Sequence, residues 1–319
     1  MMQANTINHK VNLPVDFFKS LKFDETSLKK YRVQNAELCA KTLGNKPALL
    51  FSGGVDSQAM IQCWLEANLS FEIVIFTFKN GLNIQDSDHA KHYCTVNNLP
   101  YKEIVFDVVS FLNRENFDIG MKYKCPSPHF TTHFKMAEIL RDQGYTGICC
   151  GGFAPNKTNN IYGSNFVYNT CVYTQVHDIL GIPFQGNFLS YTPELAWAIT
   201  LLTENLDVVL RAEYYDDYFK LVNERYEQKI KGYQRTGFNI IPQNKKYTGF
   251  ELVNKFYDDL TGDGLAFEKR FRHTLVNHLK RYDFYLYQFE LSNDQLEDLS
   301  RIHFINLAPT LSTSSGISD

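Results

Sequence analysis

The chain has 319 residues, of which 44% are hydrophobic, 14% aromatic and 21% charged, the profile of a globular protein with one large domain or two average ones. Its 32 Lys+Arg against 35 Asp+Glu give a net charge of −3, so no overall basic field exists to hold a polyphosphate backbone, and non-specific nucleic-acid binding is disfavoured. The longest apolar stretches, at 48–51 and 73–76, are far too short for a membrane span, and the opening MMQANTINHKVNLP lacks the pattern of a secretory signal, so a cytoplasmic location is expected.

In chain order, residues 1–32 are polar and mixed and read as an arm. Apolar residues at helical spacing over 34–43, closed by Gly44, predict a helix, and ALLF at 48–51 predicts a buried parallel strand. A helix over 57–68 gathers Ala59, Met60, Cys63, Trp64 and Ala67 on one stripe, and EIVIFTF at 72–78 is a second strand. A helix over 86–99 and a strand over 101–109 come next, then a linker at 113–128, a helix over 131–143 and a strand over 146–152 that ends in glycines.

This alternation predicts an α/β fold with a doubly wound, five-stranded parallel sheet over 33–188. From 189 to 308 the pattern changes to long helical stretches, PELAWAITLLTENL and AEYYDDYFKLVNERYEQKIKGY among them, which predict a mainly helical substrate domain. The small, polar residues 309–319 read as a disordered tail.

The residues that carry chemistry follow the first strand directly. Ser52, Gly53, Gly54, Val55, Asp56 and Ser57 lie between Phe51 and the second helix, where a glycine turn and a helix N-terminus converge backbone amides on one point. The glycines let the backbone approach an anion, and the two serines add hydroxyl donors. Asp56 would repel phosphate unless a divalent cation lay between them, so it is the candidate magnesium ligand.

The string SGGVDS resembles the signature of the PP-loop ATP pyrophosphatases, which cleave ATP between the α and β phosphates and activate a substrate as its adenylate. The resemblance covers 48–155 and implies a HUP-like fold with ATP and Mg2+ as cofactors. The loop would hold the β and γ phosphates, and Phe76, Thr77 and Phe78 would border adenine.

Within that superfamily the pattern is similar to the synthetase domain of the asparagine and β-lactam synthetases. Asp86, Ala90 and Leu99 fall on the helix after the second strand, and KCPSPHF at 124–130 is similar to a Ser-x-Pro substrate loop, which makes Ser127 and His129 candidate substrate contacts. CCGGFAPNK places Gly151 and Gly152 at the turn after the fourth strand, while YTPELAW and RTGFNIIP resemble landmarks of the helical domain. The implied reaction is adenylation of a carboxylate or carbonyl oxygen followed by transfer to an amine.

Two departures qualify that likeness. No carboxylate stands among residues 151–156, where the family carries an acidic pair, and the chain has no glutaminase segment, so nitrogen would come from ammonia, another amine or a separate glutaminase. Two alternatives stay open: a PP-loop tRNA-modifying enzyme of thiolase or lysidine type, and an ATP-binding module without chemistry.

Three cations compete to neutralise the departing pyrophosphate: Lys246, Arg235 and Lys157. Of the seven cysteines, an odd number with no CxxC pair, Cys125, Cys149, Cys150 and Cys171 bear on the thiolase alternative. Adjacent Cys149 and Cys150 on a strand point to opposite faces. His129 and His133 stand four apart on a predicted helix and read as substrate contact or packing. The run FEKRFRHTLVNHLKRY at 267–282 reads as a solvated amphipathic helix, with RNA or phosphate binding as the alternative.

Overall fold

The structure is a computed structural model and describes residues 20–42, 46–123, 128–148, 156–160, 163–167, 184–185, 188–205, 222–245, 247 and 249–261. Helix α1 runs Glu25–Thr42, β1 Pro47–Leu50, α2 Val55–Glu66, β2 Glu72–Phe78, α3 Ile84–Val96 and β3 Lys102–Phe106. Three helices follow, α4 Val108–Arg114, α5 Asn116–Lys122 and α6 Pro128–Asp142, and lead into β4 Thr146–Ile148. The remaining elements are an antiparallel hairpin, β5 Asn156–Asn160 with β6 Gly163–Val167, the two-residue β7 Phe184–Gln185, and helices α7 Pro193–Leu201, α8 Val222–Arg235 and α9 Glu251–Thr261.

The core of the fold is a parallel sheet of four strands in the order β3-β2-β1-β4, with β7 paired beside β4. Both faces of the inner strands are covered, so Ala48–Leu50 and Ile73–Phe76 are continuous apolar runs, while the edge strand β3 leaves Glu103 and Val105 exposed. Leu49, Ile73, Ile75 and Ile148 point into one core with α1, α2, α3, α7 and α8. Ala48, Val74, Phe76, Phe78 and Phe106 point into the other with α4, α5, α6 and α9.

The connections decide where a ligand can sit. β1 crosses to β2 through α2, and β2 crosses to β3 through α3, both on the first face. The chain then returns across the second face through α4–α6 and enters on the far side of β1. The order therefore reverses between β1 and β4, and the crevice at the carboxyl end of β1 is the topological switch point of an open α/β sheet.

Some boundaries differ from the sequence expectation. Helix α1 begins within the expected arm, well before residue 34: Asp24 accepts hydrogen bonds from Ser27 N at 3.0 Å and Ser27 Oγ at 2.8 Å, and Leu28, Tyr31 and Arg32 are buried. The stretch 113–128, expected as a linker, instead contains the end of α4 and all of α5, because Leu112 and Ile119 bury against Phe134 and Phe111. The hairpin β5–β6 was not foreseen; its strands are mostly asparagine, glycine, serine and threonine, without the β-branched alternation that marks a strand. The predicted tail at 309–319 and the basic run at 267–282 lie outside the described residues.

Candidate phosphate-binding site

The chain leaves the sheet at Phe51, whose N–H donates to Val74 O at 2.8 Å, so the following loop starts beside the middle of β2. Phe51 itself is buried, edge-on to Tyr93 with ring centroids 5.3 Å apart. Gly53 follows with φ +77°, a left-handed conformation that favours glycine. A Cβ added there would lie 2.8 Å from Ala90 N and 3.0 Å from Asp86 O, both backbone atoms of α3. Gly53 is thus required twice, by its dihedral and by the close approach of the loop to the first turns of α3.

Gly54 is the N-cap of α2 and offers the helix no side-chain cap. The first intrahelical bond runs from Gln58 N to Gly54 O at 3.0 Å, so the N–H groups of Val55, Asp56 and Ser57 form the open positive end of the helix. Ser57 Oγ donates to Gly54 O at 2.8 Å and lies 3.3 Å from Ser52 Oγ, while Ser52 is exposed. The open amides and the exposed Ser52 hydroxyl therefore stand together at the switch-point crevice, a donor set that fits the oxygens of a phosphate, while the Ser57 proton is directed to Gly54 O.

Asp56 behaves differently from the rest of the loop. It is 6% exposed, and both of its oxygens are engaged by helix α8. Lys229 Nζ stands 2.6 Å from Oδ1 and 2.8 Å from Oδ2, and the Tyr233 hydroxyl donates to Oδ1. Lys229 and Tyr233 are four apart on α8 and share one face of it. A magnesium ion on Asp56, which the family resemblance implies, does not fit this arrangement, since a cation and a phenol of the same chain hold both oxygens. Among the described residues no three His, Cys, Asp or Glu side chains gather as a metal site.

Helix α8 is held against the loop by packing and by polar ties. Arg32 makes a two-pronged ion pair with Glu66 at 2.7 and 2.9 Å, donates to Thr236 O, and lies over the Phe238 ring at 5.4 Å. The segment after α8 then runs along α2. Gln62 pairs with Asn239 through two 2.8 Å bonds, N–H to side-chain carbonyl and side-chain amide to C=O. Gln58 does the same with Ile241 at 2.7 and 2.8 Å, and also donates to Gly53 O at 2.8 Å. Two glutamines one helical turn apart thus imitate a neighbouring strand for the segment 239–241. His89, 3.0 Å from Ile241 O, has its pKa lowered by partial burial.

Beyond this strap, Gln243 joins the site. Its backbone N–H donates to the Tyr226 hydroxyl at 3.1 Å, and its side-chain amide donates to Asp86 Oδ1 at 3.1 Å. Burial, with Asp56 and Asp86 adding their charge, raises the Tyr226 pKa. Gly249, with φ +81°, lies over Asp86, so the turn before α9 crosses the start of α3 close to Gly53.

The other expected site residues separate into three groups. Phe76 and Phe78 bury in the second core, and Phe78 lies 6.4 Å from Phe250, which in turn lies 5.3 Å from His129, so one aromatic wall contains both a candidate adenine neighbour and a candidate substrate contact. Thr77 points the other way and donates to Glu103 Oε1 at 2.7 Å, tying β2 to the edge strand. Arg235 is exposed and pairs with Glu204 at 2.8 Å; two residues after Tyr233, it lies on the opposite side of α8 from Asp56. Ser127, Gly151, Gly152 and Lys246 lie outside the described residues, as do Cys125, Cys149, Cys150 and Cys171, and Lys157 is described only as backbone of β5.

Lys229, Tyr233 and Gln243 were missed in the sequence. The only trace they left was Tyr226, Lys229 and Tyr233 at spacings of three and four, which read equally well as one stripe of an ordinary helix.

No model of a protein family matches the chain, and no curated protein matches it. A solved structure to which the chain is similar is a U34-tRNA thiolase from Methanococcus maripaludis with its 4Fe-4S cluster; 77% of this chain and 80% of that chain are covered at 13% identity, with a TM-score of 0.26. The functional reading therefore rests on this chain's own residues. No helix among the described residues is long and apolar enough to cross a membrane.

Proposed function

We propose that this chain is an ATP-dependent enzyme of the PP-loop kind that binds the triphosphate on the 52–57 loop and releases pyrophosphate as it activates an oxygen of its substrate. The observation that carries this reading is the Ser-Gly-Gly loop itself: it lies at the switch point, is pressed onto α3 through Gly53, opens the N-terminus of α2, and has Lys229 beside it.

The chemistry asked of such a site is positioning and charge neutralisation more than proton transfer. The amides of Val55, Asp56 and Ser57 and the Ser52 hydroxyl, joined by that of Ser57 as it releases Gly54 O, hold the β and γ phosphates. Lys229 supplies positive charge as pyrophosphate departs, in the role the sequence assigned to Lys246, Arg235 or Lys157. That departure is driven by a substrate oxygen attacking the α phosphorus from the side of the aromatic wall, where His129 and Phe250 exclude water; the new P–O bond replaces the one to the α,β-bridging oxygen, which leaves with pyrophosphate. Magnesium in this reading arrives on the phosphates.

Two acceptors share that first step. One is a small carboxylate or amide, whose adenylate passes to an amine, with ammonia from solution or from a separate glutaminase. The other is a carbonyl oxygen of a tRNA base, as in the thiolase and lysidine reactions. The full five-stranded sheet and a mainly helical substrate domain over 189–308 belong to the same proposal, although α7, α8 and α9 share the two cores of the sheet.

Incubation of the chain with ATP, Mg2+ and, separately, amino acids, other carboxylates and bulk tRNA tests the reading. Pyrophosphate and AMP formed with one substrate class, and lost in Lys229→Met, are the expected result and name the acceptor. ATP bound without pyrophosphate in any mixture would overturn the enzyme reading in favour of a binding module.

A further inference from the structure

We propose that Lys229 takes the place of a metal ion at Asp56, so that the fixed positive charge of the nucleotide site is an ammonium carried by α8 rather than a divalent cation recruited by the aspartate. The inference rests on the nucleotide reading for its ligand, but the assignment at Asp56 stands on geometry alone.

A carboxylate whose side chain is only 9% exposed needs a cation or strong donors against it. Asp56 has both, at 2.6 and 2.8 Å from Lys229 and in the Tyr233 hydroxyl. An ion such as Mg2+ needs oxygen ligands at about 2.0–2.1 Å in near-octahedral array. To reach Asp56 it would have to evict an ammonium delivered by a packed helix: Tyr226 and Tyr233 bury on either side of Lys229, and Arg32 locks the last turn through Thr236 O. The ion pair is therefore a product of helix packing rather than of a freely moving surface side chain.

Lys229 is also placed to act outward. Its side chain is 20% exposed, and an ammonium has three donors, of which Asp56 takes at most two. The remaining donor lies at the same end of α2 as the open amides, so one ammonium can link the aspartate to a bound phosphate. In this arrangement the Asp56 carboxylate orients Lys229 and does not touch the nucleotide, which meets only the backbone amide of that residue.

The test has two arms, both on the full chain. Mn2+ binding without nucleotide is followed by electron paramagnetic resonance in wild type, Lys229→Met, Lys229→Gln, Asp56→Asn and the Asp56→Asn/Lys229→Met double variant, each shown to be folded by thermal melting. Wild type is expected to bind Mn2+ no better than Asp56→Asn. The freed carboxylate of Lys229→Met or Lys229→Gln gains affinity by about tenfold or more, and the double variant loses that gain. One Mn2+ bound to nucleotide-free wild type and lost in Asp56→Asn would overturn the assignment, as would a folded Lys229→Met that gains nothing.

In the second arm α,β-methylene ATP is titrated calorimetrically in EDTA. Lys229→Met is expected to weaken binding by about tenfold and Lys229→Arg by less than about threefold, since the charge survives. Equal binding by wild type and Lys229→Met would overturn the outward role of the lysine. Failure of the analogue to bind wild type both in EDTA and in Mg2+ would end the nucleotide reading, while the Mn2+ arm would still decide what occupies Asp56.

Discussion

Two successive turns of the same sheet, β1 to α2 and β2 to α3, solve the same steric problem in opposite ways. After β2 the chain turns through Asn80 at φ +60° and Gly81 at φ +70°, and then closes on itself: Asn83 Oδ1 accepts from Phe78 N at 2.7 Å and its amide donates to Phe76 O at 2.9 Å. One side chain thus pairs with two backbone groups at the end of the strand. Neither α2 nor α3 has a side-chain cap, but the turn after β1 is glycine-rich and the N–H groups that open α2 lie at the switch point. A self-satisfied turn stabilises the fold, whereas an unsatisfied one at the switch point is a binding site whose order must come from elsewhere. Here it comes from α3 below, from Gln58 behind, and from Lys229 and Tyr233 on α8.

That contrast can be broken from either side. The largest effect is expected of Gly53→Ala, which places a methyl group against the α3 backbone at a positive φ; about 3 kcal/mol of stability is lost in urea unfolding, together with nucleotide-analogue binding. Gly54→Ala is its control, because its Cβ meets only Ser52 Oγ at 3.4 Å, and its stability cost should be below about 1 kcal/mol. Next comes Asn83→Ala, which leaves buried polar groups at the end of β2 and costs about 2 kcal/mol, with analogue affinity unchanged when measured by calorimetry.

The pH dependence of stability separates the two faces of the sheet. Burial, with His129 adding like charge, holds the His133 pKa well below 6.5, and burial lowers that of His89. Below pH 6.5 the unfolded chain therefore binds more protons than the folded one. Stability should fall as pH drops, by at most about 1.4 kcal/mol per pH unit for each group, until the folded pKa is reached. His133→Gln should flatten the part of a melting-temperature series that the second face contributes.

Glu138 adds a further loss below pH 4.5. Burial alone would raise its carboxyl, but hydrogen bonds from Lys122 and Tyr123 hold its pKa below that value, so its contribution is complete above pH 4.5 and disappears as acid titrates the folded form. Gln58→Leu removes both bonds to Ile241 and the one to Gly53 O, loosens the strap and costs about 2 kcal/mol. Faster hydrogen exchange at Ile241 would show it directly, and unchanged exchange would mean that the glutamine ladder does not hold the strap.

The sequence by itself determined the local chemistry. Runs of β-branched and aromatic residues at 72–78 have no soluble alternative to a buried strand, so the strand coincides with Glu72–Phe78. A Ser-Gly-Gly turn between an apolar strand and an amphipathic helix can hardly be anything but a tight loop at a helix N-terminus, as Gly53 and Gly54 are. These are features of contiguous residues, encoded in periodicity and backbone freedom.

Tertiary structure decided what the loop faces. Asp56 meets Lys229 across 173 positions of chain, and Gln58 meets Ile241 across 183. Neither partner carries a local signature, because a lysine in a helix is the commonest of surface residues until packing turns it inward. Arg235, basic and nearer to the Gly-Phe landmark, was the more legible candidate, yet helical rotation carries it to the opposite side of α8, where it pairs with Glu204. A one-dimensional pattern shows which residues share a face of a helix, but not which face the rest of the molecule covers, and here that choice set the charge at the phosphate loop.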